Sequence, residues 1–225
     1  GGNGNDTINA SAANHVERLF GDNGNDTITG TDLRDTIYGG SGNDQIYAGS
    51  GDNFVDGGEG DDNIVAGDGN DDLRGLGGND TINAGAGADF VEGASGNDRF
   101  FASAGNDVFY GGIASSANNN DSEIDTIELS GNASDYVISR ATDATFGQVY
   151  YIQDQREGSP DGLDTLYDVD RLGFGDGSAS LDEYYNVNAG QGANGDVIIG
   201  TEGDDLIDGF GGDDTISGLG GDDIL

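Results

Sequence analysis

The sequence predicts an all-β protein: a parallel β-roll in two tracts, interrupted by a small antiparallel β insertion. Three observations carry this prediction. A nine-residue repeat fills residues 21–110 without a gap, β-type runs follow it, and the same repeat returns near the carboxyl end. A short, fixed period is typical of solenoids, in which each repeat packs on its neighbours. We expect a first roll at 1–110, an insertion at 111–190 and a second, incomplete tract at 191–225.

Ten consecutive blocks of nine run from Gly21 to Tyr110. The eighth position is apolar in all ten blocks, the fourth is Gly in all but one, and the first is always Gly or Ala. The sixth position is Asp in nine of the ten blocks, Asn53 being the exception. One more block, Gly1–Asn9, opens the chain, and residues 10–20 between them predict a single irregular turn.

The blocks resemble Gly-Gly-x-Gly-x-Asp-x-apolar-x, the calcium-binding repeat of RTX (repeats-in-toxin, or hemolysin-type) proteins. The resemblance covers roughly half of the chain block by block. It implies roughly six to ten Ca²⁺ ions, each held between stacked loops by sixth-position side chains and main-chain carbonyl oxygens. The metal ligands that it implies are Asp6, Asp26, Asp35, Asp44, Asn53, Asp62, Asp71, Asp80, Asp89, Asp98, Asp107, Asp196, Asp205, Asp214 and Asp223.

Each block is expected to supply a six-residue loop and a three-residue strand whose central side chain points inward. Two blocks then complete one turn of the roll, so alternate loops lie on opposite edges. The first edge carries Asp26, Asp44, Asp62, Asp80 and Asp98, and the second edge carries Asp35, Asn53, Asp71, Asp89 and Asp107. We expect weaker or differently liganded sites beside Asn53, which is uncharged, and beside Asp35, whose loop has Leu33 in place of Gly.

The apolar core of such a roll is thin, with one medium-sized side chain in nine residues. Burying an Ile or Val contributes about 1.5–3 kcal/mol. Ordering the backbone costs ~1–2 kcal/mol for each residue. Because Ca²⁺ takes six to eight oxygen ligands, it can cross-link carboxylates that would otherwise repel one another. The sequence therefore predicts a chain that is unfolded without calcium and folded with it.

Residues 111–190 break the repeat. Strand-like runs at 136–139, 149–152 and 164–167, with a turn signal at 158–162, predict the antiparallel insertion. The stretch 162–177 resembles a β extension often found after RTX blocks. Its Asp164, Asp170 and Asp176 are interpreted as turn residues, with one further ion site as the alternative. Tyrosines concentrate in this region, and they predict either a capping core or an aromatic contact surface for sugar or protein.

The chain carries 44 acidic residues against 7 basic ones, for a formal net charge of −37. Such a surface repels phosphates and anionic lipids, which excludes nucleic acid and membrane insertion from the expected partners. Calcium ions are the expected partners, and an extracellular polysaccharide or another surface protein are further candidates. Because the chain starts and stops inside repeats and lacks Met, we expect it to be a piece of a larger protein.

Three functions are open at this stage: a structural module of a large adhesin, surface-layer or biofilm protein, the accessory roll of a secreted enzyme, and an ice-binding solenoid. Variable residues at the seventh position disfavour ice binding, which calls for a ladder of Thr. We expect no enzymatic activity, because Cys is absent and the only histidine, His15, lies in a predicted exposed loop. The resemblance implies one-step (type I) export from a Gram-negative bacterium to the extracellular space or cell surface.

Overall fold

The computed structural model describes residues 1–112, 123–143, 147–158, 160–175, 177–180, 197–199 and 215–217. The chain divides into two compact units, residues 1–169 with 173–177, and residues 170–172 with 178–225. A 3₁₀ turn lies at Ala133–Asp135. The strands are β1 Gly2–Asn3, β2 Thr7–Asn9, β3 Arg18–Asn23, β4 Thr27–Thr29, β5 Thr36–Ser41, β6 Gln45–Tyr47, β7 Phe54–Glu59, β8 Asn63–Val65, β9 Asp72–Gly77, β10 Thr81–Asn83, β11 Phe90–Ser95, β12 Arg99–Phe101, β13 Val108–Tyr110, β14 Thr126–Glu128, β15 Tyr136–Asp143, β16 Gly147–Asp154, β17 Leu163–Tyr167, β18 Arg171–Phe174, β19 Gly177–Ser180, β20 Val197–Ile199 and β21 Thr215–Ser217.

In the first unit, successive strands alternate between two parallel sheets. One sheet has the order β1-β3-β5-β7-β9-β11-β13-β17-β16-β15, and the other contains β14-β12-β10-β8-β6-β4-β2. All pairs are parallel up to β13–β17, whereas β17–β16 and β16–β15 are antiparallel. The structure thus confirms the predicted fold class, a parallel β-roll with a small antiparallel part.

The register between turns follows the repeat. Ile46 pairs with Ile64, which lies one turn of eighteen residues further along. The turn that contains residues 10–20 is longer, because Ile8 pairs with Ile28. His15 in this turn is exposed and forms an ion pair with Glu17 at 3.0 Å. Insertions between turns are therefore accommodated in loops while the strand register is preserved.

The eighth-position side chains form the core. Those on the first sheet and those on the second point toward one another, and the ten from Ile28 to Phe109 are fully buried. Two rings, Phe100 and Phe109, pack at a centroid distance of 5.7 Å near one end. Outward neighbours in the three-residue strands are exposed or half-buried, as in β6 and β12. The alternation of inward and outward side chains agrees with the sequence prediction.

The strands of the two sheets differ in length, and here the expectation of uniform three-residue strands is wrong. Strands β3, β5, β7, β9 and β11 have six residues, because the first three loop positions on the first edge continue the ladder. Gly40, for example, pairs with Gly58 beyond the Tyr38–Asp56 pair. On the second edge the loops leave the sheet sooner, so the two edges present different backbones.

The insertion contains the expected antiparallel strands. Ile138 of β15 pairs with Ile152 of β16, and Tyr150 pairs with Leu166 of β17. Tyr136 and Tyr150 are buried, which fits a capping core. The interpretation of Asp164 as a turn residue is wrong. This residue lies inside β17, because β17 extends the roll in parallel with β13.

The second unit contains the parallel pair β20–β21, in which Ile198 lies opposite Ile216. This spacing is again eighteen residues, as expected for the second tract. Four predicted ligands, Asp196, Asp205, Asp214 and Asp223, lie outside the described residues, as does Asp176. Among the described residues, no helix has the length and apolar character needed to cross a membrane.

Candidate metal centre

The sixth-position residues of the first edge form a continuous hydrogen-bonded ladder. Each main-chain N–H donates to the Oδ1 atom of the residue one turn further along, so that neighbouring carboxylates are held at a fixed spacing. The bonds are Asp6 to Asp26 at 2.6 Å, Asp26 to Asp44 at 2.7 Å, Asp44 to Asp62 at 2.8 Å, Asp62 to Asp80 at 2.8 Å and Asp80 to Asp98 at 2.7 Å.

The second edge repeats this arrangement. Its ladder starts at Glu17 in the irregular turn, whose N–H donates to Oδ1 of Asp35 at 2.7 Å. The structure thus brings together the residues that the sequence placed one turn apart on each edge. The further bonds are Asp35 to Asn53 at 2.8 Å, Asn53 to Asp71 at 2.7 Å, Asp71 to Asp89 at 2.8 Å and Asp89 to Asp107 at 2.9 Å.

The fifth-position side chains form a second ladder that runs in the opposite direction. The N–H of Asn79 donates to Oδ1 of Asp61 at 2.8 Å, and the N–H of Asn97 donates to Oδ1 of Asn79 at 2.8 Å. Each loop is therefore joined to both neighbours by adjacent main-chain N–H groups. These contacts fix the loops in register through protein atoms alone.

The second oxygen of most ladder aspartates is buried without a hydrogen-bond partner. Buried polar atoms are nearly always paired in folded proteins, because leaving one unpaired costs about 1–3 kcal/mol. A series of such atoms along both edges indicates a cation. Among the described residues, the unpaired oxygens are Oδ2 of Asp6, Asp26, Asp44, Asp62, Asp71, Asp80, Asp89, Asp98 and Asp107.

The first-position glycines leave space beside these oxygens on the first edge. A Cβ added to Gly21 would lie 2.4 Å from Oδ2 of Asp26 and 2.3 Å from the carbonyl oxygen of Gly39. A Cβ on Gly39 would lie 2.4 Å from Oδ2 of Asp44. A carboxylate oxygen of one loop and a carbonyl oxygen of the next thus border the same space. Oxygen atoms of these two kinds are the ligands that Ca²⁺ prefers.

In two loops of the second edge, the sixth-position side chain forms hydrogen bonds within its own loop. Nδ2 of Asn53 donates to the carbonyl oxygens of Gly49 at 3.1 Å and Gly51 at 2.8 Å. Oδ2 of Asp35 accepts from the N–H of Thr31 at 2.6 Å and from its hydroxyl at 2.9 Å. These are the loops in which the sequence predicted weaker or differently liganded sites.

Burial raises the pKa of several ladder carboxylates. For Asp80 it raises the pKa to about 8, with further increases from the charges of Asp98 and Asp62. Burial likewise raises the pKa to about 7 for Asp62 and for Asp89. Because an ionised carboxylate is costly in these positions, a bound cation would stabilise the fold at neutral pH.

Within the described ranges, no group of three or more His, Asp or Glu side chains converges on one point. Apart from the two steps that involve Asn53, the steps between ladder aspartates offer the carboxylates of two adjacent loops and nearby carbonyl oxygens. The residues present therefore fit Ca²⁺ held between stacked loops. Ladder aspartates with an unpaired Oδ2 would supply its charged ligands.

The structure also adds two residues to the ladders: Asp125, which the sequence did not assign as a ligand, and Asp164, which the sequence offered only as part of an alternative ion site. The N–H of Asp98 donates to Oδ1 of Asp125 at 2.8 Å, and the N–H of Asp107 donates to Oδ1 of Asp164 at 3.0 Å. Both new members stand in the order Asp-Thr-apolar, as Asp26 and Asp80 do. That short signal was present in the sequence, but neither pair has the eighteen-residue spacing of one turn: Asp125 follows Asp98 by twenty-seven residues and Asp164 follows Asp107 by fifty-seven.

The fold and the two carboxylate ladders define a calcium-binding β-roll. A family model for the RTX calcium-binding nonapeptide repeat, in four copies, matches residues 1–14, 20–55, 29–64, 56–91, 92–114 and 191–225. These matches cover more than half of the chain, so the chain belongs to the family of RTX calcium-binding repeat proteins. It binds multiple Ca²⁺ ions through these repeats. A search of curated proteins finds no match to the chain.

Proposed function

We propose that the chain is a structural module of a large secreted or cell-surface protein, of the adhesin, surface-layer or biofilm type, and that it folds when it meets calcium after export. Proteins with RTX repeats are typically extracellular, which supports this location. Low calcium inside the cell would keep the chain unfolded for export. The higher calcium concentration outside would then drive folding.

The observation that carries the calcium-dependent part is the series of nine buried Oδ2 atoms without hydrogen-bond partners in the described residues. These oxygens lie in two stacked columns, and burial raises the pKa of carboxylates within them, Asp62 and Asp80 among others. The fold therefore contains repulsion that protein atoms do not offset. A divalent ion at each step would replace this repulsion with cross-links between turns.

A structural rather than catalytic role is supported by the character of the polar residues. His15 is exposed and its neighbour is Glu17, which is an ordinary surface ion pair. Most of the buried carboxylates belong to the ladders or to one network in the insertion, where Arg156 contacts Asp154 and Asp161 at 2.8 Å each. Glu92, which is also buried, pairs with Arg74 at 3.9 Å.

The second candidate is the accessory roll of a secreted protease, lipase or epimerase whose catalytic domain lies elsewhere in the same protein. The same calcium-folded repeats would serve it, so the roll alone favours neither candidate. The second repeat tract beyond the insertion favours the long, multi-block protein of the first candidate. A catalytic domain encoded in the same gene would support the accessory role instead.

A calcium titration followed by far-UV circular dichroism tests calcium-dependent folding, with magnesium as the ionic control. We expect a cooperative transition from coil to β structure with calcium alone. Complete β structure in excess chelator would overturn the proposal, since packing would then suffice.

The matched variants are Asp80→Asn and Asp61→Asn. Each substitution removes one carboxylate, and the two residues lie in neighbouring loops of the first edge. Only Asp80 has an unpaired, buried Oδ2. Asp61 lies at the exposed fifth position, where other loops already carry Asn. We expect Asp80→Asn to shift the calcium midpoint to a higher concentration, because the loss of a charged partner reduces the free energy of calcium-dependent folding by about 1.5–3 kcal/mol. Asp61→Asn should leave the calcium midpoint nearly unchanged.

A further inference from the structure

The regular repeats end at Tyr110, yet each carboxylate ladder continues by one more step. Asp125 accepts from the N–H of Asp98 on the first edge, and Asp164 accepts from the N–H of Asp107 on the second edge. Both added aspartates are buried. They lie outside the residues that match the RTX repeat. The two additional steps are therefore built by segments of the chain that are not repeats.

On the second edge, residues 162–167 reproduce the last six positions of a repeat. Gly162 has a positive φ of 75°, and the fourth-position glycine Gly105 likewise has a positive φ, of 152°. The N–H of Leu163 donates to Oδ1 of Asn106 at 2.9 Å, which continues the fifth-position ladder. Leu166 is fully buried and pairs with Phe109. This half-loop comes from the insertion, fifty-seven residues after its partner loop.

On the first edge, one loop is assembled from two separate segments. Gly111 takes the first position: a Cβ on Gly93 would lie 2.7 Å from its carbonyl oxygen and 2.1 Å from Oδ2 of Asp98. This is the arrangement found at Gly21 in the regular repeats. Ile124 takes the fifth position, since its N–H donates to Oδ1 of Asn97 at 2.7 Å.

Two independent features point to a ligand at these steps. Oδ2 of Asp98 and Oδ2 of Asp107 are buried without partners in the described residues, as in the regular loops. Each lies at a step where a second aspartate of the composite loop is held by a main-chain hydrogen bond. Each composite step therefore combines one unpaired, buried carboxylate oxygen with a second aspartate at the ladder spacing.

We propose that Ca²⁺ binds at both composite steps, between Asp98 and Asp125 and between Asp107 and Asp164, and that these two ions fasten the insertion strands β15–β17 to the end of the roll. This inference rests on the proposed calcium function and extends it to residues beyond the repeats. The insertion then becomes ordered only when the last regular loops are loaded. Tyr167 of β17 stacks on Tyr110 at a centroid distance of 4.5 Å across this junction, and the pair reports on its closure.

Asn is the appropriate substitution, because Asn53 shows that an amide keeps the ladder bond while it removes the charge. Oδ1 of Asn53 accepts the N–H of Asp35 at 2.8 Å, as an aspartate would. Asp125→Asn and Asp164→Asn should therefore preserve the hydrogen bonds at the junction. Asp32→Asn is the matched control, because Asp32 is exposed and lies outside both ladders.

Bound calcium is counted by elemental analysis after gel filtration, and amide hydrogen exchange is followed by segment at several calcium concentrations. We expect each of the two variants to lose one ion and the control to lose none. In Asp164→Asn, residues 136–167 should lose protection at calcium concentrations that still protect residues 45–83. The near-UV tyrosine signal should shift to higher calcium together with the loss of protection.

An unchanged ion count, with protection of 136–167 at the same calcium concentration as in the unaltered chain, would overturn this inference. Far-UV circular dichroism in saturating calcium shows whether the variants retain the β structure of the roll. Loss of β structure in the whole roll of a variant would also contradict a role confined to the junction. If the unaltered chain folds fully without calcium, the proposed function fails as well. The two failures are therefore distinguishable in the same experiment.

Discussion

Nδ2 of Asn53 donates a hydrogen bond to the carbonyl oxygen of Gly51 at 2.8 Å. In the neighbouring loop of the same edge, the equivalent atom is Oδ2 of Asp71, which is buried and has no partner in the described residues. The amide nitrogen of Asn53 thus contacts the loop carbonyl oxygens directly. In the next loop, a cation bound to the carboxylate oxygen of Asp71 would make these contacts instead.

Asn53→Asp is expected to create one additional calcium site. The amide donor would be replaced by an oxygen that repels the carbonyl oxygens of Gly49 and Gly51, so the calcium-free fold should become less stable. With calcium, the new carboxylate should bind one further ion, countable by elemental analysis. An unchanged count would mean that the carbonyl oxygens of this loop are unsuited to the ion. Asn63→Asp, on the exposed face of β8, is the control for added charge.

Gly75→Ala is expected to damage the site of Asp80. The added Cβ would lie 2.1 Å from Oδ2 of Asp80, and the carboxylate would have to move. Because the added methyl group overpacks the site, the free energy of unfolding in calcium should fall by about 1–3 kcal/mol. The calcium midpoint should shift to a higher concentration. Gly77→Ala is the matched control in the same strand, since its Cβ would meet only the end of the Glu59 side chain, at 3.2 Å. Equal effects of both substitutions would contradict this account.

Asn79→Ala is expected to weaken the fold without removing an ion. Its side chain accepts the N–H of Asn97 at 2.8 Å, and this fifth-position bond does not involve the unpaired oxygens. The free energy of unfolding in saturating calcium should fall by about 1 kcal/mol, measured with a chemical denaturant. The ion count should remain that of the unaltered chain. Loss of an ion in this variant would show that the two ladders are not separate.

Calcium-free protein is expected to gain β structure as the pH is lowered. Burial raises the pKa of Asp80 to about 8 and that of Asp62 to about 7, above the ordinary value of 3.8. A group with a raised pKa in the folded state contributes its full stability below the unfolded pKa, and this contribution is lost as the pH rises through the folded pKa.

Circular dichroism of calcium-stripped protein from pH about 8 down to about 5 measures this effect and stays above the isoelectric point, near 4.1. We expect the β signal to increase across this range, and to increase less in Asp80→Asn, which cannot take up that proton. A signal that is constant, or that is strongest at high pH, would contradict the burial of ionisable carboxylates in the calcium-free fold.

The sequence alone determined the roll, its register and most of the candidate ligands. Fixed spacing was sufficient, because position eight must face inward and position six must recur at the same edge whenever two blocks complete one turn. Ile46 and Ile64 are paired and Asp62 and Asp80 are bonded for this reason. The interpretation of Asn53 and Asp35 as unusual loops was also possible, since it depends on local substitutions.

Only the tertiary structure decided what happens after Tyr110. The ladder partners Asp98 and Asp125 are twenty-seven residues apart, and Asp107 and Asp164 are fifty-seven residues apart. Neither pair has the eighteen-residue spacing that joins the regular turns, so the repeat alone does not connect them. Their pairing follows from the open end of the roll, where β12 pairs with β14 and β13 pairs with β17. A fixed repeat length predicts the contacts between turns of equal length. Which distant strand covers the exposed edge at the end of the roll depends on the tertiary structure.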